Sequence, residues 1–280
     1  MYCFRTEDDL DLLKIAESGQ CFRWNKTEDN CFRVICGEYC VYMEKTGEGE
    51  YRLDCTEEEF QAVWRPYLDL DLDYRKVRKR VKKRKDPFLA DACEKEKGIR
   101  ILRQDPWEML VSFIISQNKN IPAIKKSIEM LSEMAGERKM DRRGETYYAF
   151  PSPERIAGLS GQELSDCRLG YRCKYVSAAA SAVLSGSLEL GRLTAAGDEE
   201  AMAALKGIYG VGTKVANCVL LFGLHHLNAF PVDVWIRKVL EEQYPGGYPY
   251  EEYSPWNGIY QQYMFAYYRN GYILTVEEKR

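Results

Sequence analysis

The stretch Gly207–Gly223, "GIYGVGTKVANCVLLFG", places a lysine in the first turn of an apolar helix, directly behind a glycine turn. A helix N-terminus carries partial positive charge, so Lys214 stands where the backbone disfavours a cation. The dipole opposes the ammonium by roughly 0.3–1 kcal/mol, and burial against an apolar wall adds to it. A neutral amine is a nucleophile, which gives the awkward position a use. Cys218 follows four residues on and shares the helix face with Lys214. The alternative is a lysine that reaches solvent or touches a phosphate. Further on, "FPVDVWIRKVL" sets Asp233 ahead of another apolar helix, with Pro231 fixing the approach. An aspartate there is a good N-cap, and capping would hold its carboxylate in place. An amine and a fixed carboxylate suit attack on a sugar carbon, because glycosidic cleavage passes through an oxocarbenium-like state that a carboxylate stabilises.

These residues need a hairpin to position them. "AMAALKGIYGVGTKVANCVLLF" reads as helix, tight turn, helix, with Gly210 and Gly212 permitting positive φ and close backbone approach. Amides at the start of the second helix would then form an anion site; glycines that serve packing alone are the other reading. Helix signals fill the region around it. Asp105, Pro106 and Glu108 open "QDPWEMLVSFIIS", Ser152 and Pro153 open "SPERIAGL", and Ser160 with Glu163 form a capping-box pattern. The first third differs. "CFRWNK", "CFRVIC", "YCVYME" and "EYRLDC" are short β-branched and aromatic runs separated by turn residues, as in an antiparallel meander. "CTEEEFQAVWRPYL" then starts a helix with Thr56 and Glu59 spaced as a second box. The expected fold is α+β, with a β-rich N-terminal domain over 1–92 and a mostly helical domain over 93–280.

Composition narrows the class. Hydrophobic residues make up 45% and charged residues 30% of 280 positions, as in a soluble globular protein. No apolar run is long enough to span a bilayer, and "MYCFRTEDDLDL" does not resemble an export signal. A cytoplasmic location, at the nucleoid in a bacterium, is therefore expected, with the ten cysteines as free thiols. Cys31, Cys36 and Cys40 lack the spacing and the histidine of a metal site. His225 and His226 read as loop residues without evident partners, so neither zinc nor histidine catalysis is expected. The net charge of −3 argues weakly against a nucleic-acid partner, but nine of the eleven residues of "RKVRKRVKKRK", 75–85, are basic. That run is either a solvated helix face or a phosphate-facing patch.

Five ordered blocks, "SGQCFRW", "RILRQDPWEMLVSFIISQNKNI", "LGYRCKYVSA", "GVGTKVANC" and "PVDV", cover most of the chain and together resemble the helix-hairpin-helix DNA glycosylases, specifically the 8-oxoguanine DNA glycosylase family. The resemblance implies an enzyme that excises 8-oxoguanine from double-stranded DNA and then nicks the strand. Lys214 matches the nucleophile that attacks C1′ and forms a Schiff base, and Asp233 the aspartate that supports the transition state. Cys218 matches a residue lying against one face of the extruded base, with Pro231 in the same base-binding set. Gly19 matches a glycine whose carbonyl accepts from N7–H, a proton that guanine lacks. Gln261 and Phe265, four apart, match a glutamine reading the base edge and an aromatic stacked opposite the cysteine; a packed helix is the plain reading of the same residues. Tyr171 matches a wedge in the duplex, and Asn118 and Arg172 match contacts to the orphaned cytosine. From the residues alone, Tyr171 could be core, Arg172 a surface charge and Asn118 a turn cap.

Gly210 and Gly212, with the basic run, would hold phosphates, and binding should weaken steeply with salt. Trp235 stands at a phosphate-side position where a histidine is common. Ala123 stands where the animal and fungal branch carries a cytosine-reading arginine, so opposite-base preference should be relaxed. The chain has no cysteine after Cys218, so no iron–sulfur cluster is expected, nor any metal or organic cofactor. A monomer is expected. The rival readings are a glycosylase for another damaged base and a non-catalytic DNA-binding module.

Overall fold

The computed structural model describes residues 1–28 and 31–277. Its first third is a five-stranded antiparallel sheet ordered β1-β5-β4-β3-β2. The strands are β1 (Tyr2–Arg5), β2 (Trp24–Glu28), β3 (Cys31–Cys36), β4 (Tyr39–Gly47) and β5 (Glu50–Leu53). Val34 pairs with Val41 and Phe32 with Met43, so period-2 alternation puts these side chains on one face. That face packs on Leu12 and Ile15 of α1 (Leu12–Glu17) and on Phe60 and Trp64 from the helical segment after β5. The meander matches the pattern in the sequence. β1 does not appear there, since four residues carry too little periodicity to read.

The helices used below are α2 (Tyr74–Lys79), α3 (Pro87–Lys95), α4 (Pro106–Ser116), α5 (Ile121–Ala135), α6 (Cys173–Leu184), α7 (Asp198–Lys206), α8 (Thr213–Phe222), α9 (Val234–Gln243) and α10 (Asn257–Glu277). α8 packs along α4, and α10 along α3 and α9. Asp105 and Ser152 cap as their sequences predict, and Ser160 with Glu163 makes a full capping box. The box at Thr56 is half made: Thr56 accepts from the Glu59 N–H, but the Glu59 carboxylate turns to Trp64 Nε1 and Arg142. A second hairpin, β6 (Arg138–Met140) and β7 (Thr146–Tyr148), lies between helices and packs Tyr147 against Ile35 and Cys40 of the sheet.

Tyr74, Val77, Leu89 and Cys93 all pack into the helical core. The 92/93 division expected from sequence falls inside α3, and the chain crosses between the cores on both sides of it, since Leu102 packs in the sheet core. Arg100 pins the crossing. It donates to the carbonyls of Leu68, Asp69 and Leu72 and to Asp8, with its guanidinium 4.2 Å from the Tyr74 ring centre.

The basic run forms α2 and the loop after it. Arg78 pairs with Asp8 and Asp9, Lys83 with Asp91, and Lys85 with Glu252, while Arg80 lies 4.6 Å over Trp256. Tyr260 of α10 donates to the Val77 carbonyl at 2.8 Å. The run is thus tied to the start of α10 and to acids of the protein, while Arg75, Lys76, Lys79, Lys82 and Arg84 stay exposed. Among the described residues no helix is long and apolar enough to cross a membrane.

Glu108, on the first turn of α4, is buried. Burial holds its carboxyl up to about 7, with Arg23 opposing and Asp105 and Glu129 adding to the rise. The native state therefore binds this proton more tightly than the unfolded chain does. Stability falls as pH rises from about 4.5 through 7. Glu108→Gln is expected to melt higher than the parent above pH 7, with the gap growing between pH 5 and 7. A gap independent of pH in melting curves would show that Glu108 titrates normally.

Candidate active site

α7 and α8 meet at a turn that demands glycine. Gly210 has φ +88°, and a Cβ there would overlap Cγ and both Cδ atoms of Tyr175 on α6. Gln117 Nε2 donates to the Gly210 carbonyl at 3.1 Å, tying the turn to the end of α4. Gly210→Ala combines a left-handed backbone with a ring clash and should destabilise by on the order of 3 kcal/mol, read as a lowered melting temperature. Gly212 is the N-cap of α8, exposed, with no side-chain cap and no acid in the first turn. Its open amides can take an anion.

In the first turn of the same helix, Lys214 is half-buried, and its Nζ lies 5.4 Å from the Phe113 ring centre. Phe113 also stacks on Phe222 at 5.5 Å and meets Phe22 edge-on at 5.5 Å, which builds the apolar wall. The buried thiol of Cys218 lies one helical turn on, on the same face as Lys214. Burial pushes that thiol up, Lys214 pulls it down through charge and hydrogen bond, and Asp233 pushes it up again. Lys214 and Asp233 are thus both near enough to this sulfur to bear on its titration. Asp233 caps α9, accepting from the N–H groups of Trp235 (3.0 Å) and Ile236 (2.9 Å). Both bonds end on Oδ1, and neither uses Oδ2.

Gly19 has φ +75° and sits against Phe265, whose Cε1 would lie 3.7 Å from an added Cβ. The loop around Gly19 is fixed from behind. The Gln20 side chain bonds the Arg100 carbonyl and the Leu102 N–H, and Gln104 Nε2 donates to the Gln20 carbonyl at 2.8 Å. Gln261 is buried and donates to the Pro231 carbonyl at 2.9 Å, joining α10 to the loop that carries Asp233. Trp235 lies on α9 beside Tyr268, with Lys238 Nζ 5.3 Å from its ring centre.

A third group forms the rim. Asn118, at φ +52°, donates to the Tyr171 hydroxyl at 3.0 Å, and Tyr171 is 50% exposed. Arg172 is only 6% exposed, so it is not the surface charge that its sequence allowed. It donates through Nε and Nη2 to the Gln117 carbonyl and through Nη1 to Leu169, with its guanidinium 4.4 Å from the Tyr171 ring centre. The two histidines also have partners: His225 Nε2 is 3.3 Å from Asp69, and His226 Nδ1 is 2.6 Å from Asp198.

Residues 3–110 match the 8-oxoguanine DNA glycosylase N-terminal domain, and residues 111–246 match the HhH-GPD superfamily of base excision DNA repair proteins. The 8-oxoguanine glycosylase/lyase of Clostridium acetobutylicum, solved with double-stranded DNA carrying cytosine opposite 8-oxoG, is 35% identical. It superposes with a TM-score of 0.88, covering 97% of this chain and 98% of that one. The chain belongs to the 8-oxoguanine DNA glycosylase family. MBOgg1, solved with a low-affinity DNA ligand, is 38% identical with a TM-score of 0.90, covering 96% of this chain and 95% of its own. The N-glycosylase/DNA lyase OGG1 of Arabidopsis thaliana is 32% identical over 84% of this chain, which spans 66% of that protein's length.

Set beside the resemblance to the 8-oxoguanine glycosylases, the structure gathers the residues read from sequence into three groups. Lys214, Cys218 and Asp233 form one, Gly19 with Phe265 and Pro231 with Gln261 line the second, and Asn118, Tyr171 and Arg172 make the third. Ala123 is exposed in the first turn of α5, its N–H capped by Asn120 at 2.9 Å. Sequence reading missed Phe113, Gln104, Gln117 and Tyr175. Phe113 and Tyr175 were visible only as members of apolar helices, and nothing local marked Gln104 or Gln117.

Proposed function

We propose that this glycosylase/lyase works through Lys214. The Nζ lone pair attacks C1′ of the 8-oxoguanine nucleotide, the C1′–N9 bond breaks, and the base leaves with the bonding pair and takes up a proton. Opening of the sugar ring gives a Schiff base between Nζ and C1′, and β-elimination then breaks the C3′–O bond on the 3′ side. The carboxylate of Asp233 offsets positive charge on the sugar as the glycosidic bond opens. The reading is carried by the place of Lys214, in the first turn of α8 against the Phe113 ring, with Cys218 one turn behind it and the Asp233 carboxylate fixed at the start of α9. With its thiol pushed up by burial, Cys218 stays neutral, a polarisable surface for the base and not a competing nucleophile.

Gly19, Phe265, Pro231 and Gln261 are assigned to the extruded base, and the open amides behind Gly210 and Gly212 to the backbone of the same strand. Trp235 is assigned to the phosphate side. Tyr171 is the wedge, Asn118 the reader of the orphaned base, and Arg172 the brace beneath both. The enzyme is assigned to a monomer acting on cytoplasmic duplex DNA without a cofactor. Because Ala123 offers no donor to cytosine, one discriminating contact worth roughly 1–3 kcal/mol is missing. Duplexes with one 8-oxoguanine opposite C, A, G or T, and an undamaged control, test the reading. Release of 8-oxoguanine is expected from all four, with C favoured by no more than about a hundredfold. A preference for C of several orders of magnitude would overturn the relaxed specificity, and no release from any duplex would overturn the reaction.

A further inference from the structure

Three tyrosines form a continuous ladder across the face that carries the hairpin and the rim. Tyr171 meets Tyr175 edge to face at 5.7 Å, and Tyr175 meets Tyr209 edge to face at 5.0 Å. The middle ring is partly buried and covers Gly210, whose missing side chain lets it lie on the turn. The outer rings are both exposed, Tyr171 at 50% and Tyr209 at 63%. Tyr209 stands in the hairpin turn itself, with exposed Lys206 and Gly207 on one side and exposed Gly212 and Thr213 on the other. Lys214 follows five residues later, in the first turn of the helix that leaves this hairpin.

We propose that Tyr209 is a second DNA-contacting aromatic, which packs on a deoxyribose or base of the strand carrying the lesion, next to the nucleotide attacked by Lys214. The proposal rests on the functional reading above. Tyr171 and Tyr209 then grip the two strands at a spacing set by Tyr175. The second link between them is polar: Gln117 donates to the Gly210 carbonyl while its own carbonyl accepts from Arg172, which stacks on Tyr171. A bent or opened duplex exposes the flat faces of sugars and bases, and an aromatic ring binds such a face without regard to sequence.

The test uses the full chain and a duplex with a tetrahydrofuran abasic analogue, which cannot be excised, alongside an undamaged duplex and the 8-oxoguanine substrate. Tyr209→Ala is expected to weaken binding to the analogue duplex by roughly fivefold or more, the effect of losing one aromatic stack. KM on the substrate should rise with it while kcat stays within about twofold. The dependence of binding on salt should keep its slope, since no charge is removed. Tyr209→Phe should bind as the parent, and Tyr209→Leu, which keeps apolar bulk without a flat ring, should behave as the alanine variant. Binding by Tyr209→Ala within twofold of the parent overturns the proposal. So does a changed salt slope, because the ring would then act only by holding the hairpin amides. If borohydride traps no adduct on Lys214, the catalytic reading fails, yet the effect of Tyr209 on the analogue and undamaged duplexes can still be measured.

Discussion

Lys214→Gln is expected to lose excision by at least roughly a thousandfold and to lose strand nicking entirely. Glutamine nearly matches lysine in length but has no basic lone pair, so it can neither attack C1′ nor form a Schiff base. The substitution should leave the fold in place. Lys214 is half-buried, and what its Nζ gives up is the contact over Phe113. Such a cation–π contact contributes about 0.5–1 kcal/mol, a loss that a melting curve shows as a small shift. Binding to lesion DNA should persist, because base pocket, hairpin and wedge are intact. Single-turnover assays that follow base release and nicking separately check this. Nicking that survives in the variant would mean that another amine forms the Schiff base.

The second large effect is expected at Asp233, where two roles can be separated. The carboxylate caps α9 through Oδ1 alone. Asparagine keeps an acceptor at that place and ranks with aspartate as an N-cap, so Asp233→Asn should cost only a few tenths of a kcal/mol in stability. It removes the negative charge that faces the opening glycosidic bond. Excision should fall by roughly 10²- to 10³-fold, as when one group stabilising a charged transition state is lost. Asp233→Ala loses the cap as well and should cost about 1 kcal/mol more stability. If Asp233→Asn excises at the parent rate, the carboxylate is a cap and nothing else.

These residues could be read from the sequence because their signals are local. The glycines of "GIYGVGTK", the caps at Asp105 and Ser160 and the β-branched and aromatic run "CFRVIC" each constrain a few neighbouring residues, and the structure keeps all of them. What could not be read depends on pairs far apart in the chain. The basic run left a solvated face and a phosphate patch both open, and nothing local showed that Arg78 would meet Asp8 and Asp9, roughly seventy positions upstream. Arg172 matched a contact to the orphaned cytosine, with a surface charge as the plain alternative, and nothing local showed that the Gln117 carbonyl at the end of α4 would hold it buried. Tyr209 belongs to the hairpin turn and Tyr175 to α6, and only the packing of α6 on the hairpin makes them neighbours. β1 and the β6–β7 hairpin are too short to show a period, and their place is set by the sheet that accepts them.

The most direct test of the Lys214 chemistry is to reduce the enzyme with borohydride during turnover on a duplex carrying one 8-oxoguanine, digest the trapped complex and sequence the adducted peptide. The adduct is predicted on the peptide that contains Lys214, with none formed on the undamaged duplex. An adduct on any other amine, or release of 8-oxoguanine without an adduct, would contradict the account.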